Sequence, residues 1–392
     1  MMSTSRDATA AASLATDAIG QRLEPPVDAT ALARLTYFRG RVALEAILRG
    51  LGVSAGDEVA IQAFTCIAVP EAVLALGARA RYVDVEEGSP NMDPGDLVRK
   101  ISERTRAVVI QHTFGLPANV SSLGGVAKEH GLPVVEDCAH TIASRVDGRQ
   151  VGSFGAAAFY SYEASKPAFV GIGGSAVAND IVLAAALDAD YSRYKPPSAA
   201  VQLQLATMFL AHKAAYRPST YWTVRSLFRS LVSAGLIRGN YNDMSEPSAP
   251  GPDFTRRMGA IQARLLHRAL ALLDSQTAHR RWVGEEYRTR IRARGVAHFP
   301  VSRNVDPVFG RYPVLVGDKS AVLDGAREAR VELADFYATP VHPLKGEKLR
   351  QVGYEPGSCP NAEALSARIV SLPTGPQVDR TQIQRAVDFF NG

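Results

Sequence analysis

Lys166 lies in the stretch FYSYEASKPAFVGIGGSAVAND, residues 159–180, directly before Pro167 and after an aromatic-rich, strand-like run at residues 156–162. Proline fixes its own backbone angle, restricts the residue before it and removes an amide that a helix would need, so Lys166 belongs on a fixed loop at a strand end. A lysine held against apolar neighbours sheds its proton more readily than one in water and becomes an amine nucleophile. Most lysines are only solvated surface charges, and Lys166 alone does not separate the two cases. The second group is Asp137. It ends a short apolar strand in PVVEDCAH, residues 133–140, with His140 three positions on. The interval between Asp137 and Lys166 has room for a hairpin, and one is written there: Arg145-Val146, the turn pair Asp147-Gly148, then residues 149–151. A strand-end carboxylate and a strand-end lysine on one sheet are the two protein groups that a pyridoxal phosphate enzyme requires. The lysine makes the Schiff base, and the carboxylate pairs with the protonated pyridine nitrogen so that the ring acts as an electron sink.

The elements that must position these groups alternate. Val42, Ala43, Leu44, Ile47 and Leu48 form one apolar stripe with Arg41, Glu45 and Arg49 opposite, which predicts a helix. Strand-like runs follow at residues 59–63, 80–85, 107–111 and 133–135, separated by helical stretches at 69–76, 94–101 and 121–130. Strands alternating with helices predict an α/β fold with a mainly parallel sheet covered on both faces. Ligands on such sheets gather at the carboxyl ends of the strands, where Asp137 falls. Ahead of the first helix, Gly40 follows Phe38-Arg39. A glycine opening a helix exposes free amides, and the helix dipole adds attraction for an anion. Residues 254–291 read as one long helical tract leading into a smaller C-terminal α+β unit, with a strand at 312–316 and helices at 319–329, 363–370 and 382–390. The domain reading is an N-terminal arm over 1–30, a large cofactor-binding domain over 31–255 and a small domain over 256–392.

Composition excludes several classes. The chain has 392 residues, of which 46% are hydrophobic and 21% charged, enough for a sizeable core. Its net charge of +5 suits an anionic ligand, but no basic run is interleaved with aromatics, which argues against nucleic acid. Three cysteines at wide spacing (Cys66, Cys138, Cys359) exclude a disulfide framework and fit a reducing cytoplasm. No apolar run is long enough for a membrane span, and the Ala/Ser/Thr-rich opening does not read as a signal peptide. Cys138 beside Asp137 and His140 lacks zinc spacing. Gly171-Ile172-Gly173-Gly174 does not open a helix after a strand, so it is no dinucleotide fingerprint.

The order and spacing of AGDEVAIQAFT, LGARARYVDV, ERTRAVVIQHTFG, VVEDCAH, the lysine segment and SARIVSLPTGP resemble the DegT/DnrJ/EryC1/StrS family of sugar aminotransferases, of the aspartate-aminotransferase fold type. The likeness runs from about residue 38 to residue 387. It implies a homodimer and transfer of an amino group, from L-glutamate, to a keto-sugar linked to a nucleotide. It also implies that Lys166 holds pyridoxal 5′-phosphate and moves the proton, that Asp137 faces the ring nitrogen, and that His140 touches the 3′-oxygen. By the same resemblance Gly40, Arg41 and Ser161 hold the phosphate. Four positions depart from the family pattern. Arg41 stands where a hydroxyl residue is usual. Cys66 stands where an aromatic stacks on the ring; a thiol cannot stack, so ring contact is weaker or comes from another group, and Cys66 also reads as a small apolar filler. Ile172 replaces a glutamate, and Thr255 replaces the asparagine that reaches the neighbouring subunit's phosphate. His342, in TPVHPLK, falls in a segment that resembles the family's hY..plH and is left outside the site. Two other readings share the fold. A sugar dehydratase of this family carries histidine in place of the lysine, against Lys166; a regulatory relative would keep the fold with an eroded site.

Overall fold

The computed structural model describes residues 33–163, 166–215, 230 and 252–392. The expected N-terminal arm lies outside them. Of the mixed aromatic and basic stretch that the sequence leaves open between a ligand contact and packing (Tyr191, Arg193, Tyr194, Arg217, Tyr221, Trp222 and Arg225), the last four also lie outside them. The central sheet has seven strands in the order β1-β10-β9-β6-β5-β2-β4. These are β1 (Ala33–Tyr37), β2 (Glu58–Gln62), β4 (Arg79–Val83), β5 (Thr105–Gln111), β6 (Val134–Asp137), β9 (Ala157–Ser161) and β10 (Gly174–Ala178). The pairs β4/β2, β2/β5, β5/β6 and β6/β9 are parallel, while β10 runs antiparallel between β9 and β1. Every residue of β2, β9 and β10 is buried, as expected of strands covered on both faces. The carboxyl ends of β2, β5, β6 and β9 therefore share one edge, and this is where Asp137 and Ser161 sit.

Helices α1 (Gly40–Gly50), α2 (Ala68–Leu74), α3 (Pro94–Lys100), α4 (Val120–Glu129), α5 (Ile181–Asp190) and α6 (Ala199–Ala215) accompany the sheet. Val42, Ala43, Leu44, Ile47 and Leu48 of α1 are completely buried, and fully burying each of the larger ones contributes roughly 1.5–3 kcal/mol. Asp93, Asn119 and Asp180 cap α3, α4 and α5 with their side-chain oxygens. The hairpin forms as expected, with β7 (Arg145–Val146) and β8 (Arg149–Gln150) joined by a turn in which Asp147 and Gly148 both have positive φ, 51° and 76°.

The tract expected as one helix over 254–291 is two. A short 3₁₀ turn (Pro252–Thr255) precedes α7 (Ala260–Ala271), and Leu272 leaves the helical region at ψ 4° before α8 (Leu273–Arg290) begins. The apolar periodicity is continuous across Leu272, so sequence pattern alone runs the two together. Beyond them lies a three-stranded antiparallel sheet of β11 (Ala297–His298), β13 (Arg311–Leu315) and β15 (Ile369–Pro373), with α9 (Lys319–Glu328), α10 (Glu347–Gln351), α11 (Pro360–Arg368) and α12 (Arg380–Asn391). Ile369 and Val370, expected at the end of a helix, instead open β15, where both are fully buried against β13. Two small strand pairs join this region to the rest. β12 (Val305–Asp306) pairs with β7, and β14 (Val341–His342) pairs in parallel with β3 (Thr65–Cys66).

Candidate active site at the carboxyl edge of the sheet

Asp137 closes β6 with its side chain 5% exposed, opposite Phe159 in β9. Its Oδ1 accepts the Ala139 amide at 2.9 Å. Burial pushes the Asp137 carboxyl above the usual carboxylate range, opposed by that amide and by the Lys166 charge. Lys166 sits half-buried past the end of β9, its amide bonded to the Glu163 carbonyl at 3.1 Å. Burial lowers its pKa below the ordinary lysine value, while Cys66, Asp137 and Glu163 pull the other way. A carboxylate raised and an amine lowered, each within electrostatic reach of the other, is the pairing that a proton-transfer site needs.

The next residue along the chain from Asp137, on the upstream side, is Glu136, and it is structural. It is fully buried and accepts four bonds: from the Gly152, Phe154 and Gly155 amides at 2.7, 2.6 and 2.8 Å, and from His112 Nε2 at 3.0 Å. His112 Nδ1 accepts the Ala118 amide, so its proton is on Nε2 and it donates to Glu136. His112, Glu136 and Cys138 lie close enough to hold a metal, but the first two are already satisfied by protein groups. Sequence reading passed over Glu136; adjacent acids at a strand end do not reveal which one points at the loop.

The anion cradle is built on α1. Gly40 opens the helix, and its first amides have no partner within the helix. A Cβ on Gly40 would lie 3.0 Å from Ser161 Cβ, and one on Gly174 would lie 2.5 Å from the Gly40 nitrogen, so both glycines are there for close approach. Ser161 thus stands against the helix start. Arg41 lies near Cys66, and its Nη1 pairs with Glu71 Oε2 of α2, a carboxylate that is itself buried. Arg39 pairs with Glu163 at 3.2 Å and with Asp253 at 2.8 Å. The second pair fastens the segment that carries Thr255, which is exposed, beside β1. Cys66 is half-buried, with its thiol pushed up by burial.

His140 is held on both nitrogens. Nδ1 accepts the Phe114 amide at 3.0 Å, so the ring proton belongs on Nε2, which faces Tyr337 Oη at 3.1 Å. Phe114 and Tyr337 stack on the ring at 5.9 and 5.8 Å between centroids. Burial and the Lys166 charge hold its pKa well below the usual histidine value, so the ring is neutral. Phe114, Gln62, Gln111 and Thr113 were not singled out from the sequence. They form a buried network: Gln62 Nε2 and Gln111 Nε2 donate to Thr113 Oγ1 at 3.0 and 2.8 Å, and Thr65 Oγ1 donates to Gln111 Oε1 at 2.7 Å. This fixes the β3 loop that carries Cys66. Tyr191 and Tyr194, left open between ligand contact and packing, pack: their hydroxyls bond the Thr36 carbonyl and Glu45, and their rings flank Tyr37.

His342 pairs with Cys66 in register and accepts the Ala338 amide on Nδ1 at 3.1 Å. Burial, ahead of Lys319 and Lys345 and against Asp335, depresses its pKa to about 4. Above the unfolded value near 6.5 the ring is neutral in both states and contributes no pH dependence. As pH falls from there toward 4 only the unfolded chain takes the proton, so stability is lost, by on the order of 3 kcal/mol in all. Urea titrations between pH 7 and 4 are expected to show this loss reduced in His342→Asn, whose amide oxygen also accepts from Ala338; an unchanged slope would mean other groups carry it.

The donor set fits pyridoxal phosphate: an amine and a carboxylate in electrostatic contact, a neutral imidazole with its proton on Nε2, and a helix start backed by a serine where a Cβ would intrude. The comparisons agree. The chain matches the DegT/DnrJ/EryC1/StrS aminotransferase family over residues 34–215 and 218–391. It is 29% identical over 351 residues to a dTDP-3-amino-3,4,6-trideoxy-alpha-D-glucose transaminase of Streptomyces venezuelae, covering 89% of this chain and 79% of the relative. It is 26% identical over 348 residues to a UDP-N-acetyl-3-dehydro-alpha-D-glucosamine 3-aminotransferase of Acidithiobacillus ferrooxidans, covering 88% and 80%. The crystal structure of DesV of S. venezuelae, in complex with a ketimine intermediate, superposes with a TM-score of 0.71 at 26% identity, over 98% of this chain and 93% of that one.

Proposed function

Since the chain belongs to the DegT/DnrJ/EryC1/StrS aminotransferase family, we propose that this pyridoxal phosphate-dependent enzyme transfers the amino group of L-glutamate to a keto-sugar carried on a nucleotide. The observation that supports it most is the Lys166–Asp137 pair beside the α1 cradle; the choice of sugar rests on what the two relatives' names say they act on. When bound, the cofactor supplies an aldehyde for the lysine and a ring that draws electrons from the reacting carbon. Lys166, its amine freed at lower pH by burial, takes the proton from that carbon and returns it one atom along. Asp137 keeps a proton on the ring nitrogen through its own negative charge. His140 would turn its Nε2–H, which faces Tyr337 Oη in this structure, to the phenolic oxygen, and the Gly40 turn, Arg41 and Ser161 hold the phosphate. Cys66 borders the ring without stacking on it. The test is amination of a panel of dTDP-, UDP- and GDP-linked keto-sugars with glutamate. Turnover of one of them is expected; turnover only of a free keto-sugar or cyclitol would overturn the nucleotide assignment.

The proposal extends to a homodimer in a reducing compartment. The dimer rests on the likeness to the family and the compartment on three free cysteines. Among the described residues no helix is long and apolar enough to cross a membrane.

Arg41 carries a sharper expectation. A guanidinium engaged on one side by Glu71 retains other N–H groups for the phosphate. Arg41→Ala is then expected to raise the cofactor dissociation constant by the worth of a charged hydrogen bond, about 1.5–3 kcal/mol, with activity recovering in excess pyridoxal phosphate. Titration of the apo variant measures it. Unchanged cofactor affinity with a raised substrate KM would move Arg41 to the substrate's phosphates; unchanged affinity with a lowered melting temperature alone would leave Arg41 as the partner of Glu71 and nothing more.

A further inference from the structure

Arg280, in α8, is 5% exposed, and among the described residues no acid pairs with it. Its buried Nε has no hydrogen-bond partner. Burial, with Arg311 nearby, lowers its pKa to about 10. An uncompensated buried cation is costly, so its two bonds must be placed where they matter. Nη1 donates to the Gly310 carbonyl at 3.0 Å and to Thr374 Oγ1 at 2.9 Å. The Thr374 hydroxyl in turn faces the Phe309 and Gly310 carbonyls at 2.7 and 2.8 Å. Arg280 and Thr374 together therefore grip both peptides that flank Gly310.

Gly310 lies directly on the active-site wall. Its amide donates to the Phe114 carbonyl at 2.8 Å, and a Cβ there would lie 2.6 Å from the His140 carbonyl oxygen. Phe114 is the residue whose own amide holds His140 Nδ1 and whose ring stacks on it; it sits at φ 58°, a conformation unfavourable for a residue with a bulky side chain unless its neighbours hold it. The strip before Gly310 contributes too, since the Val308 amide bonds Ser144 Oγ, which donates to the Gly115 carbonyl.

We propose that Arg280 is a positioning residue for His140: by clamping Gly310 it holds Phe114 in its left-handed conformation, and Phe114 keeps the imidazole proton on Nε2, the nitrogen that faces Tyr337 Oη in this structure and would turn to the phenolic oxygen of bound cofactor. The inference rests on His140 facing that oxygen, so both are tested together. A donor at the phenolic oxygen stabilises its ionised form; misplacing the donor makes the lysine–cofactor linkage hold its proton more tightly. In the holoenzyme of Arg280→Met, the pH midpoint of the cofactor's absorbance change is expected to move up by about half a unit or more. kcat should fall about tenfold, equivalent to one hydrogen bond, with KM little changed. Arg280→Lys, which can still reach Gly310, should recover part of the shift. Thr374→Val, nearly isosteric, removes the second grip and is expected to shift the midpoint the same way, which keeps the test open if Arg280→Met does not fold. His140→Asn is measured beside them. If His140→Asn leaves the midpoint in place, the reading of His140 fails. If it moves the midpoint while Thr374→Val and every Arg280 variant that folds do not, lowering only the melting temperature, the positioning role is overturned.

Discussion

Lys166→Ala is expected to abolish transamination, and borohydride treatment of the wild-type holoenzyme to tag Lys166 with the cofactor. On the proposed reading the amine is both the attachment point and the group that moves the proton, and the second role alone is worth about 10²–10⁴-fold. Its surroundings favour that use. Burial holds the Lys166 pKa below the ordinary value, and Cys66, Asp137 and Glu163 keep it from falling further. An amine of this kind is free of its proton over more of the neutral range than a surface lysine, so activity should rise with pH through the lowered value and then level. Peptide mass mapping after reduction decides the assignment; a tag on any other lysine would sink it.

Asp137→Asn is the second large effect. The amide has the shape of the carboxyl and can still accept from the Ala139 amide, so the end of β6 keeps its geometry. What goes, on the proposed reading, is the negative charge opposite the ring nitrogen. Charge stabilisation in a dry site is worth ~3–4 kcal/mol, which predicts that turnover falls by at least about a hundredfold while the cofactor stays bound. Absorbance reports the binding and stopped-flow kinetics the turnover. Near-normal turnover would mean that another carboxylate faces the ring, and Glu163, within electrostatic reach of Lys166, is the one to examine.

Strand ends were readable from the chain because strands have short periods and prolines and glycines mark their ends. Asp137 and Lys166 were placed at strand ends that way, as was the Asp147-Gly148 turn, and the register of β6 against β9 brings the first two to one edge. The helix start at Gly40 was visible too, though its backing by Ser161 depends on a strand pairing more than a hundred residues away. Contacts of long range were not legible. Nothing local in Glu71 announces that it will meet Arg41, and nothing in VFG or FYATP says that Gly310 and Tyr337 will reach His140. The break at Leu272 was missed for the opposite reason, because the apolar pattern passes through it without interruption.

The pairing of β14 with β3, in which His342 lies beside Cys66, has a consequence for how such enzymes can recombine. A crossover placed at the junction of residues 255 and 256, between this chain and a relative, would leave each half with intact helices and a complete sheet of its own. It would nevertheless set one parent's residue 342 against the other's residue 66, and one parent's Gly310 strip against the other's Phe114. Chimaeras cut there inherit the loop that carries Cys66 from one lineage and its buttress from the other. Viable hybrids of this chain should therefore be found among crossovers that move residues 65–66, 114, 308–310 and 341–342 as a set, even though 277 residues (342 − 65) of the 392 separate the first from the last.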